Sequence, residues 1–183
     1  GQAGDELVLR DGRLLLLLVA ALAVLLFAAW LALRASLPQL DGEGRLAGLG
    51  AEVRVERDAL GVPLIRGASR ADVARATGYV HAQERYFQMD LLRRAAAGEL
   101  AALLGPALVD SDRRLRLHRF RARAGVVLDG LPAAERALLE AYAAGANAGL
   151  AALAARPPEY LLLRQRPLPW SAEDSLLAIY AMW

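Results

Sequence analysis

The chain reads as an α+β protein, mainly helical, preceded by one transmembrane helix. Three observations lead there. Leu14 to Leu33 is apolar and uncharged, roughly the twenty residues that a helix needs to cross a bilayer. Period-two alternation is confined to the stretch from Ala51 to Arg66, enough for two short strands. From Ser69 onward, helical spacing of apolar residues and helix start and stop signals dominate.

Composition narrows the class. The 183 residues are 56% hydrophobic with a formal net charge of +2. Setting the N-terminal segment aside leaves roughly 130 residues, enough for one domain with a core of its own. There is no Cys, which excludes disulfides and thiolate metal sites and leaves the compartment open. Every basic residue is Arg and none is Lys, a bias attributed to genome composition rather than to a binding surface.

The first 13 residues read as a cytoplasmic N-terminus and residues 14–33 as a membrane segment. Nothing in that run offers the polar face a buried soluble helix would show. Arg10 and Arg13 precede it and Arg34 follows, giving a modest bias to an N-terminus inside. A signal peptide usually has a shorter apolar core and an A-x-A exit. Ala32 to Ala35 is a poor version, which favours an uncleaved signal anchor over a cleaved one. Trp30 suits an interfacial position. Residues 34–50, Gly-rich with mixed charge, read as a linker whose job is spacing.

The folded region is expected over residues 51–183. Val53 and Val55 alternate with charged residues in a strand with one buried face, Asp58 to Gly61 turns, and Val62 to Arg66 forms a second strand. Pro63 puts that strand at an edge or marks its beginning. The stretch Gly78 to Gly105 is the organising one. Val73, Val80, Phe87 and Leu91, joined by Tyr79, Met89 and Leu92, form a broad apolar face. Ser69 and Asp72 have capping-box spacing, Gly98 suits the residue past the last turn, and a short helix from Glu99 ends at Gly105. Asp90 can pair with Arg94, and Glu84 with the amide of Gln88.

Asp110 to Ala124 crowds six Arg around Leu115, Leu117 and Phe120. A basic run with an aromatic can bind phosphate backbones, but a salt-bridged helix explains it better, and no nucleic-acid partner is expected. His118 belongs to that polar face, since His81 lies too far away in sequence for a metal pair. Pro132 opens a helix towards Arg156 with Leu138, Leu139, Tyr142, Ala146, Leu150 and Leu153 on its apolar face. Ala and Gly from Ala143 to Gly149 predict close approach of another backbone, with Asn147 satisfying buried backbone groups. Pro157 and Pro158 end that helix. Ser171 and Asp174 box the start of a last helix, Leu176 to Trp183, which has no C-cap and reads as interrupted.

Several ordered motifs carry a family resemblance. VERDALGVPLI from Val55 to Ile65, GYVHAQERYFQMDLLRR from Gly78 to Arg94, GELA from Gly98 and LG at Leu104 are similar to the opening of the α chain of the penicillin acylase family of N-terminal-nucleophile amidases. So are YAAGANA from Tyr142, PPEY from Pro157 and WSAEDS from Trp170. The likeness spans roughly Val53 to Trp183. It departs from the usual pattern at Leu64, where His is common, and at Ala172, where Pro is common.

The resemblance implies an αββα sandwich, of which this chain supplies the mainly helical α portion, incomplete at its C-terminus. The precursor is cut autocatalytically, and a Ser, Thr or Cys at the new N-terminus of the β chain attacks an amide carbonyl, with its own α-amino group as base. No catalytic residue is therefore expected here, and no Ser-His-Asp or Cys-His set can be assembled. The α chain wraps β and completes the wall that accepts the acyl group. Met182 and Trp183 are the candidate substrate-binding residues, with Tyr180 behind them, and core packing is an equal alternative for all three. Some members hold calcium between the chains, but the α carboxylate expected to take part lies beyond Trp183, so no cofactor or metal is expected in this chain.

The expected partners are a β chain from the same precursor, a small acyl-amide substrate such as a penicillin or an acyl-homoserine lactone, and the bacterial inner membrane, with the folded part outside the cytoplasm. An inactive membrane-anchored scaffold that keeps the α-chain fold is the alternative.

Overall fold

A computed structural model describes the backbone of residues 2–182 and the side chains of residues 12–182. The order is α1 (Gln2–Ala35), β1 (Val53–Arg57), β2 (Pro63–Gly67), α2 (Arg70–Ala97), α3 (Ala101–Leu104), α4 (Val109–Arg116), α5 (Phe120–Gly130), α6 (Ala133–Ala152), α7 (Pro158–Leu162) and α8 (Ala172–Tyr180). Within α1, Gly12–Ala35 has a mean hydropathy of 3.0 and is unburied. At 1.5 Å per residue it is about 36 Å long, enough to cross a membrane.

The two strands pair antiparallel, Val53 opposite Gly67 and Arg57 opposite Pro63, so β2 does begin at its proline. The buried face expected for β1 is only half covered. Val53 and Ile65, the partner of Val55, are partly buried, whereas Val55 is 41% exposed; Leu64, opposite Glu56 on the other face, is 48% exposed. A two-stranded hairpin against one helix covers part of one face and no more.

The linker does more than space. Gly50 N–H donates to Asp72 Oδ1 at 2.7 Å, and Arg75 reaches the Ala47 carbonyl. This also alters the expected capping box. Ser69 Oγ accepts from Asp72 N–H, but the Asp72 carboxylate serves Gly50 and the Ser69 hydroxyl instead of the cap backbone. Those two bonds, the Gly50 amide first, hold the Asp72 carboxyl below its usual range.

α2 is the hub. It ends as expected at Gly98, in the left-handed region at φ 68°, where Gly98 and Glu99 N–H donate to the Ala95 and Arg94 carbonyls in a Schellman motif. The helix breaks at Arg85 (φ −148°, ψ 31°). Glu84 there pairs with Arg57 of β1 instead of with Gln88, and Tyr86 donates to the Leu168 carbonyl on the opposite side. The buried face differs from the expected one: Tyr86 is fully buried, while Leu92 is 42% exposed.

α6 ends at Ala152, short of Arg156, and the Ala155 N–H donates to the Ala35 carbonyl at the end of α1. Its packed face is made of Ala141, Ala143, Gly145, Ala146 and Gly149 rather than the leucines, and it lies against α2 with backbones nearly touching. A Cβ built on Gly145 would stand 1.8 Å from the Arg75 carbonyl oxygen, and one on Gly149 would stand 2.2 Å from that of Tyr79. From the other side, a Cβ on Gly78 would stand 2.1 Å from the Tyr142 carbonyl oxygen. Tyr86, Met89, Leu103, Ala143, Ala146, Tyr160 and Trp170 build the core beside this crossing.

The Arg-rich run is two helices, α4 and α5, rather than one. Arg119 is left-handed (φ 53°) at the corner, and Asp112 of α4 accepts from Leu100 and Ala101 N–H at the start of α3. His118 is exposed and stacks on Phe120.

The crossing gives opposite signs for one substitution type. Gly145→Ala is expected to cost about 2–3 kcal/mol, because backbone must move. Gly125→Ala in α5, with nothing within 4 Å of its Cβ, should gain up to about 1 kcal/mol from helix propensity. Thermal unfolding of the complete protein tests both. Equal melting temperatures for the two variants would refute the close approach.

Candidate functional site

The first turn of α8 is fixed by chemistry that local sequence spacing only half reveals. The Ser171–Asp174 capping box is present, with Ser171 N–H donating to Asp174 Oδ2 at 2.8 Å. Asp174 Oδ2 also receives Arg93 Nη1 at 2.6 Å, and Oδ1 receives Arg121 Nη1 at 3.2 Å. Arg121 makes a two-pronged pair with Glu99, with both bonds at 2.8 Å.

Arg93 is 4% exposed, and its Nε and both Nη atoms are hydrogen-bonded. It donates to Asp90, Asp174 and the Leu168 and Pro169 carbonyls, and it lies over the Trp170 ring at 5.1 Å. Asp90, fully buried, takes Arg93 and Arg94 on Oδ1 and the Tyr160 hydroxyl on Oδ2 at 2.7 Å. The expected Asp90–Arg94 pair is thus one bond of a larger cluster. Burial pushes the Tyr86 phenol up to about 12, and that of Tyr160 is pushed up by burial and then by the Asp90 carboxylate.

Asn147 does what its setting predicted. Its amide nitrogen donates to the Trp170 carbonyl at 2.8 Å, and its oxygen accepts from Trp170 N–H at 2.7 Å. The indole N–H reaches Ser175 at 3.1 Å. The segment entering α8 is therefore clamped from α6 and from α2.

The far end of α8 is open. Ile179 is 46% exposed and Met182 71%. Tyr180, by contrast, packs on Phe120 with ring centroids 5.1 Å apart, which is ordinary packing. Trp183 lies outside the described residues.

Chemically this arrangement holds its side chains against one another. His81 Nδ1 lies 2.9 Å from the Tyr142 hydroxyl, but the pair sits half-buried at the α2–α6 crossing, and burial pushes the Tyr142 phenol up to about 12. Among the described residues no group of three or more His, Asp or Glu side chains converges. The buried Asp90, Asp112 and Asp174 are engaged with Arg or backbone N–H, a donor set that does not fit calcium.

Two results are expected of this geometry. Asp174→Asn leaves Arg93 under-compensated and should destabilise the complete protein by about 3 kcal/mol, against about 1 kcal/mol for Ser171→Ala; equal effects would reduce Asp174 to a cap. Burial, then Arg85, holds the His81 imidazole below its ordinary 6.5, partly opposed by Glu84. The unfolded chain then binds a proton that the folded one refuses. Stability should fall as pH drops through 6.5 and level off below the lowered folded value. His81→Asn should flatten that slope in unfolding measured against pH.

The comparisons agree with one another. The family model described as penicillin amidase matches residues 52–183. Penicillin acylase 2 proenzyme from Pseudomonas sp. (strain SE83) is 44% identical over 79% of this chain and 19% of its own length. Acyl-homoserine lactone acylase QuiP from Pseudomonas fluorescens (strain Pf0-1) is 38% identical over 78% of this chain and 18% of its own. The chain thus spans less than a fifth of these relatives. Among solved structures, thermostable penicillin G acylase from Alcaligenes faecalis in tetragonal form superposes with a TM-score of 0.65 at 32% identity, covering 72% of this chain and 71% of that one. The chain belongs to the penicillin amidase family and corresponds to the N-terminal α-chain region of its members.

Proposed function

We propose that this chain is the membrane-tethered α portion of an acylase that hydrolyses linear N-acyl amide bonds, with the nucleophile on a β chain cut from the same precursor. The observation that carries the reading is the state of α8. The helix is locked at its base by Asn147, Arg93 and Asp174, and Ile179 in its last turn is 46% exposed, as a residue in one wall of a pocket would be.

The half-covered hairpin, with Val55, Val62 and Leu64 in the open, supports a second chain in the same way. In this reading the β N-terminal Ser, Thr or Cys attacks the acyl carbonyl, its α-amino group takes the proton, and backbone N–H groups bear the oxyanion. This chain's part is to hold the acyl group still against Met182 and Trp183, so that binding energy becomes orientation. Penicillins and acyl-homoserine lactones are the substrate classes that the names of the relatives suggest. The uncharged stretch of α1, residues 14–33, would tether the assembly to the inner membrane with the fold outside the cytoplasm.

Purification of the complete protein from its host, with N-terminal sequencing of every polypeptide in it, tests the assembly. A second chain beginning with Ser, Thr or Cys is expected; recovery of this chain alone would leave an inactive scaffold. In that complex Met182→Ala should raise KM for the preferred acyl amide about tenfold, with little change for an acetyl substrate. An equal change for both would remove Met182 from the acyl wall. Alkaline extraction should leave the protein in the membrane pellet, and deletion of residues 1–35 should release it.

A further inference from the structure

α1 does not leave the folded body on a loose tether. Ala155 N–H is bonded to the Ala35 carbonyl at 3.0 Å. Ser36 is 8% exposed, and its hydroxyl is turned onto the Leu33 carbonyl. Between this last turn, the break in α2 and the start of α7 lies an open cleft of ≈ 380 Å³.

The cleft is amphipathic. Trp30, Leu33 and Phe87 give it apolar walls, and Arg34, Arg85, Glu159 and the Arg57-paired Glu84 bring charge. The Arg34 guanidinium lies over the Trp30 ring at 5.6 Å. Arg85 has only a 3.9 Å contact with Glu84, whose carboxylate Arg57 already holds. Among the described residues, Arg34 and Glu159 belong to no ion pair.

Depth follows from the span. A helix of about 36 Å crosses a hydrocarbon core of about 30 Å and reaches past it by about one turn. That puts Trp30 at the interface and Arg34 at the level of lipid phosphates.

We propose that the cleft seats the headgroup of a phospholipid from the leaflet into which α1 emerges, with its phosphate diester between Arg34 and Arg85 and its primary ammonium at Glu159. The glycerol and first methylenes lie against Trp30, Leu33 and Phe87. Guanidinium groups give charge-assisted bonds to phosphate oxygens, the free carboxylate accepts an ammonium, and the indole bridges the polar and apolar layers. A headgroup with a phosphate diester, a primary ammonium and no further charge is that of a phosphatidylethanolamine. The inference rests on α1 being a retained anchor.

Native mass spectrometry of the complete protein, extracted from its host membrane in mild detergent, tests it with added phosphatidylethanolamine, phosphatidylglycerol and free glycerophosphoethanolamine. One phosphatidylethanolamine per chain should be retained. Arg34→Ala or Arg85→Ala should weaken it about tenfold, and Glu159→Gln should remove the preference over phosphatidylglycerol. Arg34 lies outside the packed body, so an unchanged melting temperature in that variant separates lost binding from lost fold.

Equal retention of both lipids by the unaltered protein, or Arg variants that bind as before, overturns the proposal. Displacement by glycerophosphoethanolamine as effective as by the lipid overturns it too, in favour of a soluble phosphate ester. A mature protein lacking α1 refutes anchor and headgroup site together. A carbonate-resistant protein with α1 intact and no bound lipid refutes the headgroup site alone.

Discussion

A charge with no water around it is the constraint on which the rest of this structure depends. Arg93 carries its guanidinium into the space between α2, α8 and the loop before α8, where an uncompensated charge would cost several kcal/mol. Two carboxylates, two backbone carbonyls and the face of an indole surround it. Replacing such a cluster with hydrocarbon is often neutral for stability, so its effect is better described as selection of one arrangement. Only one placement of Leu168, Pro169, Trp170 and Asp174 satisfies all of Arg93 at once. Tyr160 and Arg94 extend the demand through Asp90 to α7.

The same logic explains which parts stay open. Where polar groups are buried they are satisfied; among the described residues no buried side-chain nitrogen or oxygen lacks a partner. Apolar groups are left exposed at several places, among them Val55, Leu60, Val62 and Leu64 around the hairpin and Ile179 and Met182 at and beyond the end of α8. Scattered apolar exposure is ordinary. It is found on the hairpin and at the end of α8, and also at the α4–α5 corner, on α5 and on α7, at Leu117, Val126 and Leu162.

Much of this was legible in the sequence where the cause is local. Caps at Ser69, Gly98 and Ser171, a strand beginning at Pro63 and the backbone role of Asn147 all follow from residue chemistry within a few positions. What was not legible is pairing at a distance. Glu84 was matched to Gln88 because they share a helix face, yet Arg57, 27 residues earlier, takes it. Tyr86 and Tyr160 are buried by contacts 82 and 70 residues away, for which periodicity has no signal. The Arg-rich run is continuous in composition, as one helix would be, whereas its corner is set by the left-handed Arg119 and by Asp112 turning back to α3. Met182 drew notice only through the family resemblance; nothing in its immediate neighbours marks it.

The glycine contacts of α2 and α6 bear on how this fold can move. Most helix pairs meet through side chains that change rotamer and let one helix slide by fractions of an ångström. Gly78, Gly145 and Gly149 leave no such cushion, since carbonyl oxygens rest where Cβ atoms would be. The pair can shift by a whole register or not at all, and it behaves as a stiff plate. Adjustment within this body then falls to elements outside the crossing, whose contacts are made by side chains.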